Sequence, residues 1–163
     1  MSIRKAFFLV FGLMLLQITT ALHAQWEKQP EFPGGSDAMI SFINSIFRYP
    51  SEAVDKKVQG RVITNFVIEK DGSVTEVKLV RGVDSLLDNE AIRILGLMPK
   101  WKPAEQWRSS EQASSIVRVR FTLPILFKLD DEGNALSYKD GLKKAEEERK
   151  QERERRAKKR LFE

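Results

Sequence analysis

Residues 114–129 read SSIVRVRFTLPILFKL, and the fold class turns on this run. Val117, Val119, Phe121, Leu123, Ile125 and Phe127 fall at every second position, with Arg118, Arg120 and Thr122 between them. Side chains alternate across a strand, so the pattern predicts a single strand over Ser114–Leu129 with one buried face and one wet face. Pro124 lies inside it and has no N–H to give a ladder, which confines such a strand to a sheet edge or the proline to a bulge. An edge strand with one side open to pairing is the expectation.

Upstream, RVITNFVIEKDGSVTEVKLVRG reads as a hairpin: Arg61–Glu69, a turn at Lys70-Asp71-Gly72-Ser73, and a return over Val74–Arg81. The first strand is apolar on both sides, with Val62, Phe66 and Ile68 on one and Ile63 and Val67 on the other, which suits the centre of a sheet. EFPGGSDAMISFINSIF predicts a helix entered through Gly34-Gly35 and capped by Ser36 or Asp37, with a stripe of Met39, Ile40, Ile43, Ile46 and Phe47. It should stop near Arg48, because Pro50 pushes Tyr49 out of helical geometry. Ser51 is placed to cap one further short helix that closes near Gly60. DSLLDNEAIRILGLMPKWKP predicts another helix, capped by Asp84, Ser85 or Asp88, striped by Leu87, Ala91, Ile94, Leu95 and Met98, and ended by Pro99. Helix, strand, strand, helix, strand implies an α+β fold, a small antiparallel sheet whose last strand pairs beside the first.

Two segments lie outside that core. Residues 1–24 have a basic start, an apolar run from Ala6 to Leu16 and a small residue before Gln25, the layout of a secretory signal peptide or, uncut, a signal anchor. Residues 25–30 form a short linker, 31–129 the domain, and 130–163 a charged tail, helical or disordered. Without cysteine no disulfide staples the fold and no thiol serves as nucleophile or ligand. The single histidine, His23, falls in the leader, so imidazole chemistry is not expected of a mature chain. No catalytic group, cofactor or metal site is expected. The net charge of +5 is also a tail property: Gln25–Tyr138 carries 15 Lys plus Arg against 16 Asp plus Glu, whereas Lys139–Glu163 carries 11 against 7.

Several motifs have an ordinary explanation beside a functional one. Lys70–Ser73 lacks the spacing and closing glutamate of a calcium loop and fits a hairpin turn. Asp130–Asn134 fits a solvated turn better than a cation site. Gly34-Gly35 positions a helix entry, with no phosphate motif around it. Trp101 and Trp107, set beside prolines, fit the end of a core better than a stacking surface. Arg118, Arg120 and Pro124 either protect the strand edge or leave it for a partner strand. Opposite charges at helical spacing, as at Glu152 and Arg156, allow a solvated helix in the tail. Its basic end is suited to an anionic envelope surface, and export excludes nucleic acid as a partner.

FPGG (Phe32–Gly35), Tyr49-Pro50, QGRVITNFVIEKDGSV (Gln59–Val74), VRGVDSLLDNEAIRIL (Val80–Leu95), MPKWKP (Met98–Pro103) and VRVRFTLPILF (Val117–Phe127) together resemble the carboxy-terminal domain of TonB energy transducers, in the form common in Bacteroidetes. The resemblance spans about Glu31 to Leu129. It implies a three-stranded antiparallel sheet with two helices on one face. It also implies a last strand whose edge takes up a "TonB box" peptide of an outer-membrane transporter, carried here by Ile116, Val117, Arg118, Val119, Arg120, Phe121 and Thr122. A full transducer has a long proline-rich spacer, whereas Trp26–Pro30 would extend at most ~3.5 Å per residue. The expectation is an exported, periplasmic or inner-membrane-anchored binding module without catalytic activity. The alternative is a structural envelope protein that pairs with itself through the edge strand.

Overall fold

The computed structural model describes residues 28–108 and 113–162. Its elements run α1 (Gly35–Ile46), α2 (Ser51–Asp55), β1 (Gly60–Ile68), β2 (Val74–Arg81), α3 (Ser85–Gly96), β3 (Ala104–Arg108), β4 (Ala113–Val117), β5 (Val119–Phe127) and α4 (Tyr138–Phe162). The strand that is apolar on both sides takes the centre of the sheet, in the order β2-β1-β5, both pairings antiparallel. Val62, Phe66 and Ile68 of β1 join Leu123, Ile125 and Phe127 of β5 on the inner face. Ile43 of α1 and Leu87, Ala91, Ile94 and Leu95 of α3 cover them. Burying one such side chain is worth roughly 1.5–3 kcal/mol, so this layer carries the fold.

The two main helices lie where their apolar stripes predict, but two caps differ. Gly34, at φ 84°, precedes α1 with no side-chain cap, and Pro50 precedes α2. The left-handed turn that admits α1 needs a glycine, which leaves Ser36 inside the helix and Asp37 in its first turn. α3 has the predicted device: the Asp84 carboxylate accepts the Leu86 N–H at 2.9 Å. Glu90, buried on α3, accepts the Arg48 N–H at 2.9 Å and pairs with Arg93 at 2.7 Å. It thereby ties the end of the first helical region to the second.

The run Ser114–Leu129 is not one strand. β1 ends at Ile68 opposite Val119, so Arg118 finds no ladder partner, and the chain before it pairs with β3 as a separate hairpin. Trp101 then closes one end of the core, as its setting predicts, with ring centroids 5.6 Å from Phe32 and Phe66 and 5.3 Å from Phe121. The chain beside it is held twice. The backbone N–H of Trp101 donates to the Gly72 carbonyl at 2.8 Å, and Glu31 and Lys102 exchange both backbone hydrogen bonds. The side chain of Trp107 lies outside the described residues.

Beyond Leu129 the tail does more than trail. Asp130–Asn134 is a turn, with Asp130 Oδ1 accepting the N–H groups of Glu132 and Asn134. Ala135 and Leu136 then fold back against Leu129 and Lys128. α4 follows, and its first turns join the core: Tyr138 is 4% exposed, with its ring 5.8 Å from Phe47, and Leu142 and Ala145 pack behind it. The expected leader, and the linker up to residue 27, lie outside the described residues. No helix among the described residues is long and apolar enough to cross a membrane.

Candidate functional site

β5 pairs only with β1, so its outer side is a sheet edge among the described residues. The pairing passes through Ile63↔Pro124 with no shift of register. A buried threonine shows which way the backbone faces: Thr64 donates its hydroxyl to the Leu123 carbonyl at 2.7 Å, so that carbonyl points toward β1. Backbone groups alternate sides along an antiparallel strand. Pro124 therefore turns its donor-less nitrogen outward, where the ladder loses nothing. By the same alternation Arg120 and Thr122 direct both N–H and C=O to the open side.

The predicted site residues divide between two sheets. Ile116 and Val117 belong to β4, opposite Glu105 and Ala104, with Ile116 48% exposed and Val117 buried. Arg118 stands between the strands. Val119, Arg120, Phe121 and Thr122 lie on β5, opposite Ile68, Val67, Phe66 and Asn65. Phe121 turns inward, 5.8 Å from Phe66 and close to Trp101. The open edge is thus the outer side of β5, and of the predicted residues only Val119, Arg120, Phe121 and Thr122 lie on that strand.

The two arginines do not guard that edge. Arg118 and Arg120 lie on the outer face and reach across β1 to Glu76 of β2, each at 2.7 Å; Arg118 also meets Glu69 at 3.0 Å, and Arg120 meets Asn65 at 3.3 Å. Glu76 reaches them from a bulge. Between Asn65↔Lys78 and Val67↔Thr75, β2 holds one residue more than β1, and Glu76 takes φ 48°. Such a bulge re-aims a side chain. Hydrogen bonds from Arg118 and Arg120 hold the Glu76 carboxyl below its usual value. At Glu69 the Thr75 hydroxyl does so first and Arg118 second. Glu76 and Glu69 in turn push the Arg118 guanidinium up. Both glutamates are missing from the sequence-based site, because their partners are far along the chain and their aim depends on the bulge.

What remains on the edge is a short run of unpaired backbone groups with the charged side chains drawn off to one face, an arrangement suited to accepting a strand. The family model for the Gram-negative bacterial TonB protein C-terminal matches residues 46–129, a little over half of the chain. Two NMR solution structures of the Helicobacter pylori TonB-CTD are similar to it. The longer is 27% identical, with a TM-score of 0.43, covering 61% of this chain and 88% of that one. The shorter is 25% identical, with a TM-score of 0.39, covering 63% and 92%. No curated protein matches.

Proposed function

The chain belongs to the Gram-negative bacterial TonB protein C-terminal family, non-enzymatic domains of TonB-dependent energy transduction in the cell envelope whose partners are TonB-dependent outer-membrane transporters, and on that premise we propose that it binds a transporter's peptide segment by strand addition. The segment pairs along β5 between Val119 and Pro124, taking its main-chain hydrogen bonds from Arg120 and Thr122. The observation that carries this is the outer side of β5, left without a strand while Arg118 and Arg120 are engaged on Glu76. Ile116 and Val117 extend the contact only if the segment continues past the break at Arg118. Each added hydrogen bond contributes ~1 kcal/mol net against an association cost of ~4–15 kcal/mol, so a short segment binds weakly and reversibly. That suits a partner that must be released. Export through residues 1–24 and a periplasmic site of action belong to the same proposal.

A photo-crosslinking residue at Thr122 in living cells tests it. Capture of the periplasmic segment of an outer-membrane transporter is the expected result. Capture of a second copy of this chain alone would overturn it in favour of edge-to-edge self-pairing.

A further inference from the structure

The outer face of the sheet has a second feature, at the opposite end from Arg120. α4 crosses there and leaves a cleft of about 930 Å³ between itself and the strand ends. Ile63 and Leu126 supply an apolar floor, Arg61 and Arg81 line it from the sheet side, and Arg149 and Arg153 from the helix. The acids of the cleft are already engaged: Glu148 with Lys128 at 2.9 Å and Glu152 with Arg156 at 2.7 Å. Among the described residues none of Arg61, Arg81, Arg149 and Arg153 has a carboxylate at ion-pair distance; Arg149 donates only to the Ala145 carbonyl of its own helix, at 3.2 Å. Four uncompensated guanidinium groups around one apolar floor repel one another, and carboxylates that pair with their planar forks relieve that repulsion.

We propose that this cleft binds an acidic, aliphatic protein segment in extended form, its carboxylates on the four arginines and its apolar side chains on Ile63 and Leu126. Alternate residues of an extended chain point to opposite sides, which matches charged walls set around an apolar floor. No aromatic side chain lines the cleft, so nothing there stacks a nucleobase. A bilayer is broad and meets the outward side of α4 before it meets a floor lying between helix and sheet. The site lies away from residues 119–124, where the strand is proposed to add, and does not depend on that addition.

The full chain would be titrated against a short fluorescein-labelled peptide alternating Glu and Leu, followed by anisotropy. Saturable binding is expected, weakened about tenfold or more in the R61Q/R153Q variant and by a Gln-Leu peptide, since each removes charge-assisted hydrogen bonds. R155Q/K158Q, which removes two charges of α4 that do not line the cleft, should bind as the parent does. In the unmodified chain, amide NMR shifts should centre on Gly60, Ile63 and Val83, which keeps the test independent of whether a variant folds. No saturable binding, equal weakening by R155Q/K158Q, shifts centred on Arg120 and Thr122, or binding only to phosphatidylglycerol vesicles would each overturn the proposal.

Discussion

Glu76 is the residue on which the accessible edge depends. Its left-handed backbone and its two arginine partners, Arg118 before β5 and Arg120 on it, hold that positive charge on the outer face. Its carboxyl is held below its usual value of 4.5 by those guanidinium groups. A carboxylate with a lowered folded value lends stability that is present above pH 4.5 and is lost as the pH falls through that folded value. A carbon-detected NMR titration should find both Glu76 and Glu69 ionising below the usual glutamate value of 4.5. Titration of Glu76 and Glu69 at that ordinary value would show that the arginines are not held in solution. None of this is legible in the sequence, where Glu76 looks like a solvent-facing strand residue and the residues it grips come more than forty positions later.

At the scale of elements, Gly72 links the hairpin tip to the end of the core. Its φ is +82°, and a Cβ there would lie 2.0 Å from the Trp101 carbonyl oxygen, so Gly72→Ala meets both backbone strain and a collision with main chain that cannot swing aside. A loss of at least about 2 kcal/mol in chemical denaturation is expected. An unchanged midpoint would mean that the tip and the Trp101 segment are not packed as described. This hairpin was legible in advance because Asp71-Gly72 stands between two alternating runs, and both main helices because their stripes keep the 3.6-residue period. The β3–β4 hairpin was not. AEQWR has no alternation to announce a strand, and the even period of residues 117–127 conceals that the ladder partner runs out at Ile68. The docking of α4 was equally hidden, since Tyr138, Leu142 and Ala145 are a brief apolar stripe in front of a long charged one.

For the whole molecule, the two tyrosines of the chain report on how the tail closes the core. Tyr138 of α4 and Tyr49 before α2 both stand against Phe47, at 5.8 and 6.3 Å between ring centroids. Burial pushes each hydroxyl from 10.0 up to about 12, with Arg61 pulling Tyr138 slightly back. A raised folded value means stability that is complete below pH 10 and is lost as the pH rises through about 12. Tyrosinate absorbance should therefore show no ordinary titration near pH 10, and both tyrosines should ionise together with loss of tertiary structure. A tyrosine titrating near 10 with the fold intact would detach α4 from the core. Amide hydrogen exchange with and without a peptide from the periplasmic segment of an outer-membrane transporter tests whether the open edge of β5 receives a strand. The N–H groups of Arg120 and Thr122 should exchange readily in the free chain and become protected on binding, while those of β2 should not change. Protection that appears along Val74–Arg81, or in neither strand, would contradict strand addition on β5.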